Sequence, residues 1–196
     1  MPRKKSVKHS AQYFRAAADE ITAFLTTVST NQTDQHIAWL YDYAIIRLYR
    51  EFEALMLDAL VGAINNDSAT ISLTTGIDFP KHLNSEVCMF LVTGTGYFDF
   101  KGRDGLIKTI KRFVPDDHYL VSIVKKSAFS KTLNLLSALR NFAAHGSDQS
   151  KGTARKAIEA KRIESSGAWL RREHRLQTIV DGLKALATEL ENAAPY

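Results

Sequence analysis

A single cysteine, Cys88, stands in a chain of 196 residues. It has no partner for an internal disulfide, which excludes a disulfide-stapled secreted scaffold and points to a reducing cytoplasm. Long apolar runs are also lacking, since none approaches the ~20 residues needed to cross a bilayer. The basic start, Met1-Pro2-Arg3-Lys4-Lys5, is followed by no apolar signal-peptide core. Histidines stand at 9, 36, 82, 118, 145 and 174, with no pair at the close spacing of a metal motif. Gly94-Thr95-Gly96 lacks the Lys-Ser/Thr ending of a phosphate loop, and no Gly-x-Ser-x-Gly elbow is found. Zinc enzymes, P-loop nucleotidases and serine hydrolases of that type are therefore disfavoured, and the expectation is a protein with no metal and no cofactor.

What is present is an ordinary globular composition, 45% hydrophobic and 24% charged, in a length that suits one domain. The net charge of +5 hides an uneven distribution. Residues 10–98 hold four basic and ten acidic side chains, whereas residues 99–175 hold 17 basic and eight acidic. A basic second half of this kind favours phosphate-bearing partners through counterion release.

Helical periodicity dominates. Tyr13, Ala17, Ile21, Phe24 and Val28 recur at steps of three and four, predicting an amphipathic helix over 11–29. Gln35 to Ile64 carries the longest periodic face and should run about eight turns. Residues 65–82 form a polar connector that could hold a two-stranded hairpin, followed by a short helix over 84–92. Short helices are predicted over 106–114 and 117–126. A longer one covers 127–145 and is stopped at Gly146, a residue suited to the position just past a helix end. Residues 147–153 read as a polar break, 153–163 as a basic helix, the surroundings of Gly167 as a loop, and 172–192 as the last helix. The expected fold class is all-α: four to five main helices with an irregular insertion at about 65–105. The domain division is a basic flexible tail over 1–10 and one helical domain over 11–196.

The segment 127–147 differs from the others in carrying only two charged residues before its end, Lys131 and Arg140. Its apolar stripe is Leu135, Leu139 and Phe142. A second stripe, Asn134, Ser137, Asn141 and His145, is polar yet uncharged. Solvated helix faces usually carry Lys and Glu, so this face points to burial, an interface or a site.

The same segment reads Arg140-Asn141-Phe142-Ala143-Ala144-His145-Gly146, an Arg-x4-His pattern inside a helix. Two looser matches, Arg3 to His9 and Arg112 to His118, lie in a tail and across Pro115. With Asn beside the Arg and small residues before the His, the segment resembles the HEPN superfamily (higher eukaryotes and prokaryotes nucleotide-binding), whose nuclease members carry such a motif near the end of a helix. The long preceding helix, with Tyr49-Arg50-Glu51-Phe52-Glu53 at its centre, and the final helix are similar to that architecture as well.

The resemblance implies a metal-independent endoribonuclease, acting as a toxin or phage-defence effector in the cytoplasm. It implies a homodimer in which two motifs converge, and an antitoxin or other regulatory protein as partner. Arg140, Asn141 and His145 would be the catalytic residues. His145 would act as general acid or base, since histidine exchanges protons near neutral pH. Arg140 would hold the phosphate with its planar fork of donors. On the helix Asn141 and His145 share a face, while Arg140 and His145 lie about 140° apart around the axis and ~7.5 Å apart along it. Lys108, Lys111, Arg112, Lys125, Lys126, Arg171, Arg172 and Arg175 are candidates for an RNA path. Glu51 and Ser137 are candidates for supporting the site, and either Glu51 or Glu53 could reach Arg140 from the neighbouring helix. The alternative reading is a non-catalytic helical module that binds RNA, a nucleotide or a protein.

Overall fold

The computed structural model describes residues 5–195, so Arg3 and Lys4 of the expected tail lie outside the described residues. The described chain is all-helical, with ten helices and no strand. Four are long: α1 (Val7–Val28), α2 (Asp34–Asn66), α7 (Ser127–His145) and α10 (Arg175–Ala193). Six are short: α3 (Ala69–Thr75), α4 (Ser85–Thr93), α5 (Gly102–Ile110), α6 (Tyr119–Val124), α8 (Asp148–Ala157) and α9 (Ser166–Leu170). No helix among the described residues is long and apolar enough to cross a membrane.

Helix α2 is the spine. It packs against α1, α4, α7, α9 and α10, and its residues from Ala44 to Ile64 supply much of the core. A helix touched from so many directions cannot be polar on one whole side, which accounts for its broad apolar face. Thr33 caps it, its hydroxyl oxygen accepting from the His36 amide. Helix α1 starts at Val7, capped by Ser6 and with Val7 fully buried. Residues 7–10 thus belong to the bundle, not to a flexible tail, because the Ser6 cap and the Val7 contact begin the helix before its periodic stripe is apparent.

Residues 65–105 are more regular than expected and form no hairpin. The Thr-rich run adopts α3, with the Thr74 and Thr75 hydroxyls donating to the carbonyls of Thr70 and Ile71 one turn back. Ser68 Oγ donates to Pro80 O at 2.8 Å, and the Asn65 amide donates to Leu83 O. These bonds fold the connector back beside the end of α2. Helix α8 begins at Asp148 because Ser147 caps it, so the expected break at 147–153 is helical and the chain is irregular over 158–165 instead.

Helix α9 replaces the loop expected at Gly167. It lies so close to α2 that a Cβ on Gly167 would sit 1.8 Å from Ala38 O. The Gly167 amide donates to Asp42 Oδ1 at 2.6 Å, and Ser166 Oγ donates to Leu139 O at 2.7 Å. Burial raises the Asp42 carboxyl above the usual range, opposed by that amide bond. Gly167→Ala should therefore destabilise the protein by about 3 kcal/mol, the upper end for overpacking. Gly152→Ala, at a helical position with open space around it, should be neutral or stabilising by about 0.5–1 kcal/mol. Urea denaturation of the two variants beside the parent checks both.

Candidate functional site

Helix α7 runs over the span its pattern predicts, Ser127–His145, and ends on Gly146 in the left-handed conformation. Its uncharged polar stripe divides into two halves with different work. The upper half is structural. Asn134 Oδ1 accepts from the Arg103 amide at 3.1 Å, and Ser137 Oγ accepts from the Gly102 amide at 3.1 Å. Helix α5 has no side-chain cap of its own, so α7 caps it from outside and satisfies amides that a helix start leaves without partners. Gly102 is required there. Its φ is +63°, and an added Cβ would lie 2.8 Å from Asn134 Oδ1. Arg103 completes the junction by donating from Nε to Val124 O at 3.1 Å.

The lower half carries the motif. The Arg140 guanidinium lies 4.2 Å from the centre of the Tyr49 ring on α2. Its Nη1 donates to Asn141 Oδ1 at 2.8 Å, and its Nη2 is 3.9 Å from Glu53 Oε1. A cation over an aromatic face is held by the ring quadrupole. The Tyr49 hydroxyl donates to Asp99 Oδ1 and also lies within bonding distance of Phe100 O, both at 2.9 Å. One tyrosine therefore connects α2, the Arg140 side chain and the segment that leads into α5.

Around this centre lies an open groove of ≈ 840 Å³, bounded by the end of α7, by α8 and by the 99–102 segment. Arg140, Asn141 and His145 all line it, as do Asn134 and Ser137. Asp99, Lys101 and Lys156 bring charge to its other walls. His145 is exposed at the last turn of α7. The groove thus offers a planar cation, an imidazole, two amines, one carboxylate and several neutral hydrogen-bonding groups. This set can bind a phosphodiester and exchange a proton with a hydroxyl beside it. Among the described residues, no three His, Cys, Asp or Glu side chains group as a metal site. Cys88 is buried, and burial pushes its thiol up to about 11.

Several expected residues lie elsewhere. Glu51 is buried and pairs with Arg47 at 2.7 Å, so Glu53, two residues on, is the carboxylate that faces Arg140. Among the basic candidates, Lys111 pairs with Asp116, Lys126 with Glu189 and Arg171 with Asp34. Arg112 lies over the Phe113 ring, and Arg175 over the Trp169 ring. Lys108, Lys125 and Arg172 are exposed. None of these lines the groove, whose lysines are Lys101 and Lys156. Asp99 carries no motif that would mark it, and in the sequence Tyr49 stands out only as the first residue of the Tyr49–Glu53 run, which assigns it no role of its own. The only signal is alternation: Phe98 and Phe100 are buried while Asp99 and Lys101 are exposed.

No family model, curated protein or solved structure matches the chain.

The electrostatics of the centre are unbalanced. Burial raises the Glu53 carboxyl to about 7; Arg140 opposes the rise and Asp99 adds to it. Burial also raises the Tyr49 phenol, with Glu53 and Asp99 adding to the effect. A carboxyl raised on folding holds its proton longer in the native state than in the unfolded chain. Stability is then lost as pH climbs from the unfolded value, near 4.5, to about 7, and stays lost above it. Glu53→Gln should match the parent in melting temperature near the acidic end of that window and exceed it on the alkaline side. Thermal melts across the range check this. A Gln variant that is less stable at alkaline pH would show that the Arg140 pair, not burial, governs this carboxyl.

Proposed function

We propose that this chain is a metal-independent endoribonuclease of HEPN type, acting on RNA in the groove at the end of α7. The observation that carries the reading is that Arg140, Asn141 and His145 line one open groove on the least charged long helix of a basic half-chain. In the proposed reaction the ribose 2′-OH attacks the adjacent phosphorus, and the P–O5′ bond breaks. His145 exchanges the proton, and Arg140 neutralises charge on the pentavalent phosphorus. Asn141 Oδ1 already accepts from Arg140 Nη1, which leaves its Nδ2 to donate to a phosphate oxygen. The products are a 2′,3′-cyclic phosphate and a 5′-OH. Lys101 and Lys156 supply the flanking charge that the sequence assigned to other lysines. A toxin or defence role, a homodimer that pairs two motifs, and control by an antitoxin belong to the same reading.

A second reading is favoured by the three contacts that already engage Arg140. In it, Arg140 is a structural clamp between α7 and α2, and the groove binds RNA or a protein without cleaving it.

Incubation of the purified protein with total RNA in EDTA separates the two. The nuclease reading expects cleavage with cyclic-phosphate ends, reduced about 100-fold or more in His145→Ala with folding retained by circular dichroism. RNA binding without cleavage, unchanged in that variant, favours the second reading. Equal cleavage by both proteins removes His145 from the site.

A further inference from the structure

The segment entering the groove has a period of two. Phe98 and Phe100 are 8% and 4% exposed, whereas Tyr97 is 97% exposed; Asp99 and Lys101 are exposed as well. The burial alternates with the period of an extended backbone, in which residues two apart share a side. Asp99 and Lys101 line the groove, and Tyr97, which is not itself a lining residue, stands two residues before Asp99, at most about 7 Å along the chain from it.

The backbone of this segment is anchored. Phe100 stacks on Tyr49 at 5.2 Å and meets Phe52 edge-on at 5.9 Å, and Phe98 packs at 6.2 Å from Phe100. Asp99 Oδ1 accepts from the Tyr49 hydroxyl and from the Phe100 amide. Tyr97 is therefore a bare aromatic ring two residues from a wall of the groove, on a segment anchored at Phe98 and Phe100. A fully exposed ring has no role in the core. Aromatic rings beside cationic grooves are the surfaces on which unpaired bases stack.

We propose that Tyr97 is a base-stacking residue that holds an unpaired nucleobase at the mouth of the groove, next to the phosphate held by Arg140. The proposal rests on the reading of the groove as an RNA site and adds a specificity determinant to it. Stacking needs the base out of a duplex, so Tyr97 selects unpaired over paired RNA at that nucleotide. Asp99 Oδ2 accepts from an exocyclic amine of the same nucleotide, and Lys101 pairs with the next phosphate.

The test is fluorescence anisotropy with a labelled 2′-O-methyl RNA oligonucleotide, single-stranded and as a duplex, so that cleavage does not intervene. The parent should bind the single strand more tightly. Tyr97→Ala should weaken single-strand binding about 10-fold and leave duplex binding unchanged. Tyr97→Trp should restore affinity, and Tyr97→Leu should not, because stacking needs an aromatic face. A 2-aminopurine in the oligonucleotide should be quenched by the parent and not by Tyr97→Ala. Parent-like single-strand affinity in Tyr97→Ala would overturn the proposal and leave the groove reading standing. The ring would then belong with the exposed Phe90 to a protein-docking patch. Failure of the parent to bind either RNA would overturn the groove reading and this proposal with it.

Discussion

The contact between the Arg140 guanidinium and the Tyr49 ring ties the candidate site to the core. Tyr49 is 1% exposed, so its ring cannot move without disturbing α2. Its hydroxyl holds Asp99 and Phe100, and its face holds Arg140. The groove exists because these bonds meet at one residue: they set the 99–102 segment at a fixed place beside α7. The start of α5 is then close enough for Asn134 and Ser137 to cap it. Removing the ring would free both Arg140 and one wall of the groove, so the tyrosine is structural and site-forming at once.

The long helices were legible in the sequence because their signals are local. Helix α7 shows its limits through apolar spacing and Gly146, and α2 through an unbroken periodic run. The failures occurred where non-local or side-chain bonds decide the backbone. The β-branched run of α3 looks strand-forming, yet its threonines bond back one turn. Helix α8 was displaced because Ser147 reads as part of a polar break and acts as a cap. Gly167 reads as a loop residue, but it is glycine for the close approach of α9 to Ala38.

The site was legible in part for the same reason. The Arg-x4-His spacing is local, and the structure puts both ends on one groove. The uncharged stripe is mixed in the fold, with Ser137 buried and Asn134 and His145 exposed, and no pattern could say that Asn134 and Ser137 serve α5. Glu51 and Glu53 lie two positions apart, about 200° around the helix axis. Only the packing of α2 on α7 decides which of them meets Arg140. Basic residues were weak guides because none of the candidates for an RNA path lines the groove, and two of them, Lys126 and Arg171, pair with Glu189 and Asp34 far along the chain.

Arg140 is thus held by contacts that differ in how easily a phosphate could replace them. The Tyr49 contact is a cation over a ring, 4.2 Å from its centre, and not a hydrogen bond of Arg140. The Asn141 bond uses one of the guanidinium donors. The Glu53 contact, at 3.9 Å, is too long for a good hydrogen bond. It also joins a cation to a carboxyl whose proton comes off only at about 7. A phosphate arriving along the groove competes with a half-buried acid that is partly neutral under physiological conditions, not with a tight ion pair. The ring contact can persist while the Glu53 contact is replaced. An arginine held over a ring and only loosely by its carboxyl can therefore serve the fold and still present donors to an anion.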